Sequence, residues 1–337
     1  FWVDAAAAAV DYAPYLKRLI GRRPDLLDAV GEDWPERLLV GALNKANAIA
    51  NDPPPLEEAM RALRRAKDEV HLAAAIADLA RAWSLDRVTG AITDFADAAL
   101  RAALAVAARE LANRGEIAAV GVDGPVPGFA LIAMGKMGAR ELNYSSDIDF
   151  SVFFDAERLA VTHAREPRVA AVRLVAPLVR ALEEVTVDGY VFRTDLRLRP
   201  DPGSTPVAVS IASAELYYQN LGQNWERAAF IKARAAAGDL DCGRAFLATL
   251  EAFIWRKHLD FAAVEDVHSI KRQILSAHKS AELGDPVFDV KLGRGGIRDI
   301  ELFAQTQQLI LGGRNRRLRQ PGTLAALDAL AEAGAIE

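Results

Sequence analysis

The stretch that decides the fold is Gly135-Lys136-Met137-Gly138-Ala139-Arg140-Glu141-Leu142-Asn143-Tyr144-Ser145-Ser146-Asp147-Ile148-Asp149. An apolar run from Phe129 to Met134 precedes it, and Ile148 to Phe154 forms a second run of strand length. Side chains alternate along a strand, so Asp147 and Asp149 project from one face while the apolar residues project into a core. Two such close carboxylates repel unless a cation lies between them, and hard oxygen ligands suit magnesium or manganese. The stretch therefore predicts a divalent-metal site on a sheet.

The turn between the two predicted strands indicates a phosphate site. A glycine-rich turn at Gly135 can open a short helix whose free N–H groups face a phosphate. A strand, a glycine turn and a second strand with two aspartates resemble the layout of the polymerase-beta-like nucleotidyltransferases. That superfamily usually has Gly-Ser at the turn, whereas this chain has Gly135-Lys136. A lysine can also offset phosphate charge.

A third predicted strand, Tyr190 to Leu198, carries alternating charges. Alternation sends four charged side chains to one face: Arg193, Asp195, Arg197 and Arg199. Arginines at this density repel one another unless anions or carboxylates compensate them. We therefore predict an anion site rather than a solvated edge, with Asp195 as a third carboxylate and the arginines as phosphate ligands.

A longer resemblance joins these motifs. The stretch 135–149, the segment Asp195-Leu196-Arg197-Leu198-Arg199-Pro200 and the triplet Trp225-Glu226-Arg227 resemble the signature of glutamine synthetase adenylyltransferase. The similarity extends from about Leu85 onward. Members of that family carry two homologous nucleotidyltransferase halves. The C-terminal half attaches AMP to a tyrosine of glutamine synthetase, and the N-terminal half removes it by phosphorolysis.

Two further segments favour the removing half. Ile231-Lys232-Ala233-Arg234 and Lys291-Leu292-Gly293-Arg294-Gly295-Gly296-Ile297-Arg298-Asp299-Ile300-Glu301 resemble it. Arg298 adds a positive charge at a glycine-rich helix start, which is a place to bind an inorganic anion. The alternative is an ordinary glycine-rich connection into a helix predicted over 297–311.

The resemblance implies a reaction and a set of roles. Phosphate would attack the AMP group esterified to a tyrosine of glutamine synthetase, releasing ADP and the free tyrosine. Asp147, Asp149 and Asp195 would be the catalytic carboxylates that hold Mg²⁺, or Mn²⁺ in its place. The nucleotide and phosphate ligands would be Gly135, Lys136, Ser145, Ser146, Arg193, Arg197, Arg199 and Arg298. The expected partners are adenylylated glutamine synthetase, phosphate, ADP and a PII-type signal protein.

Two other functions stay open at this point. The same metal site would serve an attaching enzyme that uses ATP and releases pyrophosphate. A regulatory module that binds a PII-type protein or glutamine is an alternative of a different class. An assay that depends on phosphate separates the first, and binding without turnover would indicate the second.

The rest of the chain frames this core. Residues 1–119 are rich in Ala, Leu and Arg at helical spacing and predict a helical bundle, with breaks at Pro53-Pro54-Pro55 and near Gly90. Residues 120–238 form the predicted nucleotidyltransferase core, with a helix at 166–185 and a short strand at 206–209. Residues 239–337 predict a C-terminal helical region. The fold class expected is α+β, a polymerase-beta-like mixed sheet between two helical regions.

Composition narrows the function classes. The 337 residues carry a formal net charge of -5, so no overall basic field exists to hold nucleic acid. The single cysteine cannot form an internal disulfide, and no apolar run has the length of a membrane span. These features lead us to expect a cytoplasmic protein with no nucleic-acid or membrane partner. The start at Phe1 and the end within a helical pattern suggest a piece of a longer protein.

Overall fold

A computed structural model of the chain describes residues 2–28, 30–118, 126–162, 166–257 and 289–337. These residues form two compact units. The first comprises Phe1–Ser210 and Ala235–Gly243, and the second comprises Ile211–Arg234 and Arg244–Glu337. The boundary predicted at 119/120 lies outside the described residues, and the helices before it belong to the same unit as the sheet after it.

The first unit begins with five helices. They are α1 (Trp2–Tyr12), α2 (Pro14–Arg22), α3 (Trp34–Asn51), α4 (Leu56–Leu79) and α5 (Leu85–Asn113), with a 3₁₀ turn at Pro24–Leu27. The predicted break at the three prolines is confirmed, since α3 ends before them and α4 begins after them. The break predicted near Gly90 lies a few residues earlier, at 80–84 between α4 and α5, and Gly90 itself lies inside α5. Ser84 sets the start of that helix by accepting a hydrogen bond from the Arg87 amide.

The mixed sheet follows in chain order. Its elements are β1 (Phe129–Ala133), the one-turn helix α6 (Gly135–Gly138), β2 (Ile148–Phe154), α7 (Pro167–Glu183), β3 (Thr194–Asp195) and β4 (Ala208–Ser210). β1 pairs antiparallel with β2, while β3 and β4 pair parallel with the other edge of β2. The two main strands and α7 are confirmed, and the overall class is a mixed α+β fold.

The third strand is much shorter than predicted. We expected Tyr190 to Leu198, but β3 contains only Thr194 and Asp195. The side chain of Asp195 accepts a hydrogen bond from the backbone N–H of Arg197, at 2.9 Å. This local bond turns the chain away from the sheet, in the way that aspartates commonly initiate turns.

A fifth strand, β5 (Arg234–Gly238), was not predicted. It lies beside β1 at the far edge of the sheet. Its alanines favour a helix by propensity, and tertiary packing overrides that preference. At Gly238, a Cβ atom would lie 2.1 Å from the carbonyl oxygen of Phe129, so only glycine permits this close approach of the two backbones.

The second unit is helical. Its helices are α8 (Ile211–Asn220), α9 (Asn224–Phe230), α10 (Leu240–Thr249, whose first residues belong to the first unit), α11 (Glu251–Ile254), α12 (Ile297–Leu311) and α13 (Thr323–Glu332). A 3₁₀ turn covers Arg316–Leu318. The predicted helix 297–311 is confirmed, and Gly312 follows it as the C-cap.

One apolar core joins the bundle to the sheet within the first unit. Buried residues of α3, α4 and α5 form a continuous cluster with those of β1, β2 and α7. Alanines on α5 allow close helix contacts on several sides, because they add little bulk beyond the backbone. The bundle therefore supports one face of the sheet. Among the described helices, none combines the length and the apolar character that a membrane crossing requires.

Candidate active site

The carboxylates of β2 and β3 meet at one edge of the sheet. Asp149 and Asp195 are register partners in the parallel ladder between the two strands. Register partners in a ladder project to the same face, so these two side chains are neighbours. Asp147 precedes Asp149 by two residues and continues the same face. Ile148 and Phe150 are fully buried while Asp149 is partly exposed, as alternation predicts at the start of β2, but further along the strand Ser151 and Phe153 are fully buried too.

Gly135 forms the floor beneath Asp149. It has a positive φ of 51°, a conformation that favours glycine. A Cβ atom at this position would lie 2.4 Å from Oδ2 of Asp149. The carboxylate thus packs directly against the glycine backbone, and any side chain at residue 135 would displace it.

Arg197 is paired with Asp195. Its Nε donates to both carboxylate oxygens at 3.0 Å, and Nη2 donates to Oδ2 at 2.5 Å. These bonds hold the pKa of Asp195 below its usual value, so the carboxylate is ionised at neutral pH. The Arg197 side chain is 83% exposed while that of Asp195 is 19% exposed. An accessible cation therefore covers a partly buried carboxylate.

Arg193 is held by three different groups. Its Nε donates to Oδ1 of Asp147 at 2.6 Å, Nη2 donates to the carbonyl oxygen of Ser145 at 2.8 Å, and Nη1 donates to the Tyr190 hydroxyl at 3.0 Å. The hydrogen bond to Asp147 raises the pKa of Arg193. A guanidinium fixed at three nitrogens has a defined orientation. Arg193 therefore orients Asp147 and the chain at Ser145.

Arg199 does not lie with the other arginines on a common strand face. Its guanidinium donates to four backbone carbonyls of one loop: Leu196, Pro202, Thr205 and Pro206. The face predicted for residues 193–199 ends at Asp195, because the strand ends there. The geometry thus gives Arg199 a role in holding the loop between β3 and β4. A role of Arg199 in binding phosphate stays a prediction.

The remaining predicted ligands of the first unit lie around the same turn. Lys136 is half-buried in α6, and within the described parts of the chain its ammonium has no ion-pair partner. Ser145 is exposed, and Ser146 hydrogen-bonds through its hydroxyl to the side chain of Asn143. The segment 143–146 therefore leads directly into Asp147 from an ordered turn.

Arg298 belongs to the second unit. It is exposed in the first turn of α12, with Gly296 as the N-cap residue. Its backbone N–H donates to the carbonyl of Lys291 at 3.0 Å, which closes the glycine-rich loop. A local anion site at this helix start stays a prediction.

The triplet Trp225-Glu226-Arg227 has a structural role in α9. Gln223 is the N-cap of this helix, and it forms a capping box with the buried Glu226. The Arg227 guanidinium is fully buried and donates to the carbonyl oxygens of Phe253 and Ile254 at 2.9 and 3.0 Å. This part of the resembling signature maintains the fold of the second unit.

The donor set has the chemistry of a divalent-cation site. Carboxylate oxygens on adjacent strands are ligands that Mg²⁺ and Mn²⁺ accept, and the absence of a side chain at Gly135 leaves room for the Asp149 carboxylate. Within the described ranges no three acidic, histidine or cysteine side chains converge as a complete metal-binding group. Asp147 and Asp195 instead face Arg193 and Arg197. These residues fit the ion by the type of their side chains and by the register of Asp149 with Asp195.

The sequence did not predict the residues that hold β3 and the segment before it in place. Oε1 of Glu183, at the end of α7, accepts from the backbone N–H and the hydroxyl of Thr194 at 2.5 and 2.7 Å. Lys67 on α4 donates to the carbonyl oxygen of Tyr190 at 2.9 Å. These contacts join residues far apart along the chain, and no local pattern signals them.

Comparison with known proteins identifies the class. Residues 4–249 match the family described as glutamate-ammonia ligase adenylyltransferase, and residues 268–337 match GlnD PII-uridylyltransferase. By its description, the first of these families is one of adenylyltransferases.

Individual relatives narrow the class further. The bifunctional glutamine synthetase adenylyltransferase/adenylyl-removing enzyme of Caulobacter vibrioides is 54% identical over 98% of this chain and 34% of its own length. Proteins of that name in Bradyrhizobium diazoefficiens and Rhizobium meliloti are 48% and 46% identical over 95% and 99% of the chain, and over 32% and 35% of their own lengths. The chain belongs to the glutamate-ammonia ligase adenylyltransferase family. It spans about a third of the length of these curated relatives.

Proposed function

We propose that this chain removes AMP from an adenylylated tyrosine of glutamine synthetase by metal-dependent phosphorolysis, giving ADP. The observation that carries the proposal is the register of Asp149 with Asp195 beside the Gly135 floor. Adjacent strands with carboxylates next to a glycine turn support a sheet of the polymerase-beta-like nucleotidyltransferase type. The relatives are named for glutamine synthetase as their substrate and for both the attachment and the removal of the adenylyl group.

The reaction balances without any redox step. An oxygen of inorganic phosphate attacks the phosphorus of the AMP group, the bond from phosphorus to the tyrosine oxygen breaks, and the phenolate takes up a proton. The products are ADP and the unmodified tyrosine. Such transfers need mainly positioning and charge stabilisation from the protein.

The carboxylates Asp147, Asp149 and Asp195 would hold Mg²⁺, or Mn²⁺ in its place. When bound, the ion supplies neutralisation of the charge that develops on the transferred group. Arg193 orients Asp147 through their hydrogen bond. Because Arg197 is the most accessible cation at the edge, we assign it to the attacking phosphate or the nucleotide phosphates.

The turn supplies the other proposed contacts. The backbone at Gly135, the ammonium of Lys136 and the hydroxyls of Ser145 and Ser146 would bind nucleotide phosphate oxygens. In the second unit, Arg298 would bind a free anion at the start of α12. A removing reaction needs free phosphate as its second substrate, and this additional cation favours that direction.

The direction is tested by the products. With adenylylated glutamine synthetase, Mg²⁺ and phosphate, we expect ADP in proportion to the tyrosines freed, and no AMP or pyrophosphate. The variant Asp149→Asn is the inactive control. AMP released at the same rate with and without phosphate would make the chain a hydrolase. Pyrophosphate formed from ATP and unmodified glutamine synthetase would establish the attaching direction instead.

A regulatory partner is a second, separate proposal. Residues 268–337 match GlnD PII-uridylyltransferase, whose name specifies a PII protein as its substrate. We propose that this region contacts a PII-type signal protein. Calorimetric titration of the chain with a PII protein, with and without glutamine, tests the contact. Absence of heat at micromolar concentrations would contradict it.

A further inference from the structure

We infer that Lys67 of the helical bundle is a positioning residue for Asp147, acting through Tyr190 and Arg193. This inference rests on the proposed function, since it assigns Asp147 to metal binding. Lys67 lies on α4, whereas Asp147 leads into β2. Two intermediate side chains join them, and each step is a direct contact in the first unit.

The first step fixes Tyr190 from both its backbone and its ring. Nζ of Lys67 donates to the Tyr190 carbonyl oxygen at 2.9 Å and lies 4.1 Å from the centre of the Tyr190 ring. A cation over an aromatic face and a charged hydrogen bond to the same residue reinforce one another. The ring therefore has little freedom to rotate away.

The second step passes from the ring to the site. The Tyr190 hydroxyl accepts from Nη1 of Arg193 at 3.0 Å, and Nε of Arg193 donates to Oδ1 of Asp147 at 2.6 Å. The Arg193 side chain is half exposed, so without Tyr190 it would sample other rotamers. Outer partners of this kind fix the orientation of a carboxylate that binds metal.

A neighbouring residue of α4 separates positioning from simple support. Arg64, one turn earlier, is 1% exposed and donates to the carbonyls of Ala181, Glu184 and Gly189. Its bonds hold the end of α7 and the connection after it. Of these two cations, Lys67 is the one that contacts Tyr190, and Tyr190 in turn contacts Arg193. The bundle thus holds the backbone through one cation and orients the site through the other.

Burying the charged form of Lys67 lowers the stability of the folded chain. Burial lowers the pKa of Lys67 to about 8, and the nearby guanidiniums of Arg193, Arg64 and Arg22 add to that effect, while Asp68 opposes it. A methionine would fill the same space without that penalty. A buried charge whose pKa is perturbed and that lies near a candidate site is often functional, which adds to the geometric argument for Lys67.

The test uses Lys67→Met, which keeps the length of the side chain and removes its charge. Mn²⁺ binding is measured by electron paramagnetic resonance without substrate, and turnover of adenylylated glutamine synthetase is measured in parallel. We expect Mn²⁺ affinity to fall about tenfold, the lower end of the range for lost outer partners. Lys67→Arg should retain most of the affinity. The matched control Arg22→Gln, which removes the ion pair of Arg22 with Asp68 in the same bundle, should change it little.

A double variant tests whether Lys67 acts on Mn²⁺ binding through Arg193 or through a general loss of stability. If Lys67 acts through Arg193, the double variant Lys67→Met/Arg193→Gln binds Mn²⁺ no more weakly than Arg193→Gln alone. Unchanged Mn²⁺ affinity in Lys67→Met, or fully additive losses in the double variant, would overturn the inference. Mn²⁺ binding without any ADP formation in the wild-type chain would contradict the proposed function while leaving this inference standing.

Discussion

At the residue scale, Gly135 is the position where a single methyl group has a definite consequence. Its Cβ would meet the Asp149 carboxylate, and its φ is positive. We expect Gly135→Ala to abolish turnover and to lower the free energy of unfolding by about 1–3 kcal/mol through backbone strain. Urea denaturation and the ADP assay measure both effects.

Gly90 is the matched control for that substitution. It lies within α5, where an added Cβ meets nothing within 4 Å. Gly90→Ala should raise the free energy of unfolding by about 0.5–1 kcal/mol, because alanine favours a helix. Full activity in Gly135→Ala would show that Asp149 does not need its present position.

Arg197 and Arg61 form a second matched pair at this scale. Arg61 is an exposed arginine of α4, whereas Arg197 lies on Asp195. We expect Arg197→Ala to raise the KM for phosphate by about tenfold or more, since removing a charged hydrogen bond costs about 1.5–3 kcal/mol. Arg61→Ala should leave KM unchanged. Similar small effects in both variants would mean that the edge of the sheet is only a solvated charged surface.

At the element scale, α4 carries a pH dependence that follows from the lowered pKa of Lys67. In the folded chain the pKa of Lys67 is about 8, whereas the ordinary pKa of a lysine is 10.5. Between these values the unfolded chain binds more protons, so stability contributed by this group rises with pH.

The comparison with Lys67→Met isolates that effect. From pH 8 toward pH 10, the thermal midpoint of the wild-type chain should rise relative to that of the variant. Below pH 8 the difference should be constant. A difference that does not vary with pH would show that Lys67 titrates as an exposed lysine.

The elements also show what the sequence could predict. β1 and β2 were found because buried strands of five and seven residues contrast with the turn between them. The acidic residues could be proposed from the sequence because two of them lie two residues apart at the start of β2 and the third lies in a charged run. The length of β3 was overestimated, since a hydrogen bond from the backbone N–H of Arg197 to the Asp195 carboxylate ends the strand. β5 was missed because three alanines carry no strand signal without the neighbouring Phe129.

The groups that orient the site were beyond local reasoning. Lys67 and Tyr190 are 123 residues apart along the chain, and their contact depends on how α4 packs in the first unit. Spacing rules describe a helix face or a strand face, and they do not pair one with another. A resemblance in the motif segments likewise could not indicate that Arg199 holds a loop or that Arg227 is buried.

At the scale of the whole molecule, we expect a destabilising substitution in one unit to leave the stability of the other unit unchanged. Arg227 is buried in the second unit, where it holds two backbone carbonyls and the Asn224 side chain. Arg227→Met removes these bonds, and we expect a loss of about 3 kcal/mol or more in that unit.

Hydrogen exchange measured by mass spectrometry locates the loss. Exchange should accelerate in α9 and α11, while β1 and β2 keep wild-type protection. Arg317→Met, at an exposed position of the second unit, is the control and should change neither region. Equal loss of protection in β1 and α9 would indicate one cooperative unit.

The path of the chain between the units has a consequence for synthesis on the ribosome. The chain leaves the first unit after Ser210, returns at Ala235 for β5, and leaves again after Gly243. While the nascent polypeptide is shorter than this, the edge of β1 that β5 covers has no partner strand from its own unit. An open strand edge invites pairing with another chain. Ribosomes that stall while translating residues 211–243 should therefore yield aggregation-prone products. A polypeptide released just beyond residue 243 should instead contain the completed sheet.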